Sequence, residues 1–161
     1  LYQAVNELIP ARDDAQPLVS WQGAELRRYR DRLFVLPALS APPVPPHESL
    51  KPDSSLSLGT ALGVLRLRAD IEGGIDPQLV AAGLTVRFRQ GGEEIRPAGH
   101  ECTHKLKKLL QQQGIVPWMR QRLPLLYAGE RLVAVANLWI ATDCSQRLGY
   151  GVSWSDGPPL N

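Results

Sequence analysis

Eight cationic side chains fall within the stretch Arg87 to Leu126: Arg87, Arg89, Arg96, Lys105, Lys107, Lys108, Arg120 and Arg122. Glu93, Glu94 and Glu101 are its only acids, so it carries +5 while the whole chain carries +2 and the remainder sums to −3. Cations gathered this way suit a polyanionic partner, and nucleic-acid phosphates are the commonest such chemistry. A second group, Arg27, Arg28, Arg30 and Arg32, surrounds Tyr29. It reads equally as a charged strand edge kept soluble and as cations plus a stacking ring for nucleic acid.

Other chemistry is thinly represented. There is no G-x-x-x-x-G-K-[ST] phosphate loop, and Gly91-Gly92 stands between a strand and acidic residues rather than before a helix. Glu93 and Glu94 are adjacent, so on a strand they point to opposite faces and cannot act as an acid–base pair. His100, Cys102 and His104 are spaced by two and share a face if extended, with Cys144 as a fourth candidate zinc ligand. That spacing is unusual for zinc and a helix is expected to begin inside it, so no metal site is assigned. Trp118 follows Pro117 and has two readings, a plug at a core edge or a base-stacking ring.

The elements that position these residues follow from periodicity. Residues 85–89 alternate, with Val86 and Phe88 on one face and Thr85, Arg87 and Arg89 on the other. Arg87 and Arg89 then stand about 7 Å apart on one side of a strand. Leu106, Leu109 and Leu110 form an apolar stripe at helical spacing, with Lys105 and Lys108 opposite and Lys107 on a flank. Thr103 as N-cap and Gly114 just beyond the C-terminus give a helix of about ten residues. Residues 125–127 and 132–140 read as strands joined by a turn with Gly129, and residues 148–154 as the last strand. Gly73-Gly74 and Asp76-Pro77 mark turns, and residues 62–68 alternate as a strand.

Three regions emerge. Residues 1–36 read as the tail of an upstream unit, with strands at 18–21, 26–29 and 33–36 and turns at Gln22-Gly23 and Asp31-Arg32. Residues 37–54 hold six prolines between Pro37 and Pro52 and read as an extended linker. Residues 55–161 form one β-rich α+β domain. The chain opens on Leu1 in mid-pattern, as a piece of a longer protein would. No apolar run approaches the ~18 residues of a membrane span. Two cysteines do not make a disulfide framework, so a reducing, cytoplasmic setting is expected.

The stretch also resembles the C-terminal domain of the tRNA(Ile)-lysidine synthetase family. The resemblance rests on Arg89-Gln90-Gly91-Gly92-Glu93, Arg96-Pro97 with Gly99, Leu106-Lys107-Lys108-Leu109, Pro117-Trp118-x-Arg120 and Pro124-Leu125-Leu126. Val116 stands where the family usually has a first proline before the tryptophan. The segment from Glu25 to Leu33 is similar to the end of that family's central, substrate-recognition domain.

The resemblance implies a layered β fold shared with a domain of the phenylalanyl-tRNA synthetase β subunit. It implies an ATP-dependent ligase that joins lysine to the wobble cytidine of an isoleucine tRNA, with ATP and magnesium held by a catalytic domain upstream. This chain itself would hold no cofactor and no catalytic residue. It would bind the tRNA body, at the acceptor stem, through Arg87, Arg89, Arg96, Lys105, Lys107, Lys108, Arg120 and Arg122, with Arg27, Arg28 and Arg30 as a second contact. Expected partners are tRNA and the upstream domain, not a membrane; oligomerisation is left open. The competing readings are a non-catalytic protein-interaction domain and a zinc-binding module.

Overall fold

The computed structural model describes residues 17–39, 49–59, 61–157 and 159–161. The chain divides into two compact units, residues 1–42 and 43–161. No described helix is long and apolar enough to cross a membrane.

In the first unit the described residues form a three-stranded antiparallel meander, β1 (Leu18–Trp21), β2 (Ala24–Tyr29) and β3 (Arg32–Pro37), in that order. Gly23 makes the first turn with φ +79°. The second turn is Arg30-Asp31 rather than Asp31-Arg32, because Tyr29 pairs with Arg32 and closes a two-residue loop. Arg30 takes the left-handed conformation there, at φ +53°, which is uncommon outside glycine. Residues 1–16, the first part of the expected upstream tail, lie outside the described residues.

The proline-rich segment is shorter as a connection than its composition suggests. Pro37 ends β3, and β4 (Ser49–Leu50) already pairs with a strand of the second unit, with Leu50 buried. The prolines at 42, 43, 45 and 46 lie outside the described residues.

The second unit is built on two main sheets. One has five strands in the order β12-β11-β10-β7-β4: β7 is Leu84–Phe88, β10 Pro124–Ala128, β11 Arg131–Val135 and β12 Trp139–Ile140. The other has three, β13-β6-β5: β5 is Ser55–Ser57, β6 Val64–Glu72 and β13 Leu148–Ser155. Alternation delivers Leu84, Val86 and Phe88 to the core from β7, and Leu65 and Leu67 from β6. The strand expected over 132–140 is broken. Ala136 turns left-handed at φ +43°, so β11 and β12 fold back on each other with Val135 opposite Trp139.

The helices are short. Asp76-Pro77, expected as a turn, starts α1 (Pro77–Ala81): the Asp76 carboxylate accepts the Gln78 amide and proline occupies the first turn. α2 (Leu106–Gln112) buries Leu106, Leu109 and Leu110, the expected stripe. Each fully buried leucine contributes about 1.5–3 kcal/mol, which a seven-residue helix needs in order to persist. Its end is a Schellman turn: Gly114, at φ +78°, donates to the Gln111 carbonyl, and the Ile115 amide donates to the Leu110 carbonyl. α3 (Pro117–Arg120) follows and buries Trp118 and Met119.

The start of α2 differs from expectation. The first helical residue is Leu106 and the capping position belongs to Lys105, not Thr103. His104–Lys105 form β9, which pairs with β8 (Glu94–Ile95) in a two-stranded ribbon. The ribbon claims backbone groups that a longer helix would have used.

Candidate nucleic-acid interface

The local environment separates the eleven candidate cations into those that hold the fold together and those that face solvent. Arg89 leaves the end of β7 and turns onto Glu93, with Nε 3.3 Å from the carboxylate and both side chains largely buried. These two atoms lack a well-aligned hydrogen bond, so their attraction is electrostatic. The other Glu93 oxygen accepts the amides of Gln90 and Gly91 at 2.6 and 2.7 Å. The Gly-Gly turn therefore spends its amides on an internal carboxylate rather than on a nucleotide phosphate.

Arg122 is buried, and its guanidinium donates to the Trp118 carbonyl at 2.6 Å. Arg120 donates to the Ile115 carbonyl at 2.8 Å. Both tie down carbonyls around α3, where the short helix leaves acceptors open. Trp118 is buried, which selects the core reading over base stacking.

In the first unit Arg27 forks onto the buried Glu25 carboxylate at 2.8 and 3.2 Å. Arg28 donates to the Arg30 carbonyl at 3.0 Å, and the Arg30 guanidinium lies 5.2 Å from the Tyr29 ring centroid.

Arg87 is half-exposed and well held. Its guanidinium meets both oxygens of Glu130, at 2.9 and 2.8 Å, and donates to the Gly129 carbonyl at 2.8 Å. It also lies 4.6 Å from the Tyr127 ring centroid. The hydrogen bond that Arg87 donates to Glu130 holds the guanidinium above its ordinary range, and the same bond holds the Glu130 carboxyl below the usual carboxylate range. The Tyr127 phenol is pushed up, first by burial and then by the Glu93 and Glu130 carboxylates.

Four cations remain. Arg96, Lys105, Lys107 and Lys108 are all exposed, and among the described residues none has an ion pair or a side-chain hydrogen bond. They come from one local unit. Arg96 directly follows β8, Lys105 lies on β9 across from Glu94, and Lys107 and Lys108 fall in the first turn of α2. Lys105 does not share a helix face with Lys108, as helical spacing had suggested, because it sits in the ribbon. The first turn of α2 contains no acidic residue and no side-chain cap. Cations at a helix N-terminus oppose the helix dipole, so helix stability does not account for them.

The residues that sequence reading missed are the acids that engage arginines: Glu25 on Arg27, Glu93 on Arg89, Glu130 on Arg87 and Asp143 on Arg131. The Glu93 spacing from Arg89 was a visible signal, whereas Glu130 reaches Arg87 across 43 positions through a hairpin. Of the candidate metal ligands, Cys102 Sγ lies 3.5 Å from His104 Nε2, while Cys144 is buried in a 3-10 turn at Thr142–Cys144. Among the described residues no three His, Cys, Asp or Glu side chains form a set that could hold a metal.

Comparison with known proteins agrees with this architecture. Residues 84–154 match the TilS substrate C-terminal domain, and residues 1–34 match the TilS substrate binding domain. A tRNA(Ile)-lysidine synthase of Alkalilimnicola ehrlichii is 45% identical over 158 residues, covering 93% of this chain and 34% of that protein. One of Coxiella burnetii is 41% identical over 140 residues, covering 87% of this chain and 31% of that protein. The chain thus spans about a third of the length of these relatives. A crystal structure of a TilS C-terminal domain superposes with a TM-score of 0.54 at 20% identity, over 66% of this chain and 95% of that one, and shares the fold. The chain belongs to the tRNA(Ile)-lysidine synthase family and corresponds to its C-terminal part.

Proposed function

We propose that this chain is the tRNA-holding part of a cytoplasmic enzyme that ligates lysine to the wobble cytidine of an isoleucine tRNA at the expense of ATP. The observation that supports the reading is the exposed set Lys105, Lys107 and Lys108, which have no ion pair or side-chain hydrogen bond among the described residues, on β9 and the first turn of α2, with exposed Arg96 just after β8. Lysine ammonium groups are mobile point charges without planar geometry, suited to phosphates along a backbone rather than to reading base edges. Double-helical RNA is recognised largely by shape, phosphate and 2′-hydroxyl contacts, which favours the tRNA body and its acceptor stem as the ligand.

The chain's own contribution is positional. It neutralises phosphate charge, adds affinity without sequence choice and fixes the orientation of the tRNA, while lysine transfer and ATP chemistry belong to residues elsewhere in the protein. The fold shared with a domain of the phenylalanyl-tRNA synthetase β subunit remains part of this reading, which the β-rich make-up with few, short helices allows.

Lysine protection tests the reading. Mass-spectrometric acetylation with and without an isoleucine tRNA transcript is expected to show Lys105, Lys107 and Lys108 protected, and Lys51, which lies outside the patch, unchanged. Equal modification of all four lysines in saturating tRNA would contradict it.

A further inference from the structure

We propose that the Arg87–Tyr127 pair is a second phosphate contact for RNA, occupied in the free protein by the carboxylate of Glu130. The inference rests on the tRNA-binding reading above.

Arg87 presents two guanidinium nitrogens to the two Glu130 oxygens at 2.9 and 2.8 Å. A phosphodiester offers the same pair of anionic oxygens to the same planar fork. Glu130 stands in the two-residue loop between β10 and β11, with its side chain 89% exposed. An ion pair this exposed contributes little, so its exchange for a phosphate costs little.

The guanidinium would not lose its place when the carboxylate leaves. The Gly129 carbonyl still accepts from it at 2.8 Å, and the Tyr127 ring still lies beneath it at 4.6 Å. Both supports come from the β10–β11 hairpin, and the strands that carry Arg87 and Tyr127 pair in one sheet. The arginine is therefore held ready for an anion.

Arg89, two residues on, supplies the contrast. Its partner Glu93 is only 8% exposed in its side chain, and its second oxygen is held by two backbone amides. That carboxylate cannot swing away without opening the turn. Of the two arginines at β7, only Arg87 faces a carboxylate free to yield.

The test uses the chain with an isoleucine tRNA transcript, comparing wild type, Glu130→Gln, Arg87→Gln, the Arg87→Gln/Glu130→Gln double variant and Lys107→Ala/Lys108→Ala. Glu130→Gln is expected to bind tRNA more tightly than wild type. Its log-affinity against log-salt slope should steepen by roughly 0.7–0.9, so its advantage should shrink about threefold between 50 and 200 mM salt. Arg87→Gln should remove that advantage. Two results would overturn the inference while leaving the tRNA reading intact, provided Lys107→Ala/Lys108→Ala weakens binding. One is wild-type affinity in Glu130→Gln. The other is an equal gain from Glu130→Gln in the Arg87→Gln background, which would reflect general charge alone. If wild type itself binds no tRNA, the broader reading fails and takes this inference with it.

Discussion

Arg89 and Glu93 close the Gly91-Gly92 turn from the inside, with Arg89 Nε 3.3 Å from one carboxylate oxygen while the other accepts two backbone amides. Both glycines have positive φ, +108° and +87°, so the turn depends on glycine conformation as well as on the buried carboxylate. Removing that carboxylate strands a largely buried guanidinium. Glu93→Ala is therefore expected to cost about 3–5 kcal/mol, read from urea unfolding. A loss below about 1 kcal/mol, the range of an exposed pair, would show that the turn stands without it.

Arg122 is expected to behave as a structural residue. Its guanidinium is buried and satisfies the Trp118 carbonyl. Arg122→Ala should lower stability by about 1–3 kcal/mol, the cost of an orphaned buried acceptor, and leave tRNA affinity per folded molecule unchanged. Thermal melts alongside binding titrations separate the two effects. Weakened binding in a protein of undiminished stability would place Arg122 in the interface instead.

The lysines of α2 should have the opposite signature. Lys107→Ala/Lys108→Ala is expected to leave the melting temperature unchanged or slightly higher, because two cations opposing the helix dipole are removed and alanine favours the helix. Leu109→Ala, on the buried side of the same helix, should cost about 2–5 kcal/mol. A marked drop in melting temperature for the lysine variant would mean that the lysines serve the fold.

Acid should loosen the β11 edge through Asp143. Burial pushes its carboxyl up, but the hydrogen bond and charge of Arg131, with Arg96 beyond, hold it below the ordinary range. A depressed folded value means that the stabilisation is present above the unfolded carboxylate value of about 3.9 and is lost as pH falls through the folded value. Asp143→Asn should flatten that part of the urea-midpoint profile below about pH 5. An unchanged acid profile would remove Asp143 from the list of acid-sensitive contacts.

Much of the fold was legible because it is local. The alternation over 84–88, the leucine stripe of α2 and Gly114 at its end each follow from one element's own residues. What escaped was set by distant partners. The capping position of α2 moved from Thr103 to Lys105 because the ribbon pairs Ile95 with His104 and Glu94 with Lys105. Strand 132–140 broke where Ala136 turns and donates to the Pro124 carbonyl. The candidate site was legible only as a list of cations for a related reason: a sequence counts them but does not show which of them a carboxylate or a backbone carbonyl engages within the fold. Arg89, Arg120 and Arg122 are spent within the fold, and Lys105, Lys107 and Lys108 are not.

The salt dependence of tRNA binding is the most direct measurement. Wild type and a Lys105→Ala/Lys107→Ala/Lys108→Ala variant, shown to be folded by thermal melt, would be titrated with an isoleucine tRNA transcript across a range of salt. Each lost phosphate contact should reduce the magnitude of the log-affinity against log-salt slope by roughly 0.7–0.9, with weaker binding at every salt concentration. Unchanged affinity and slope in a folded triple variant would contradict the account, leaving these lysines as a solvated face and nothing more.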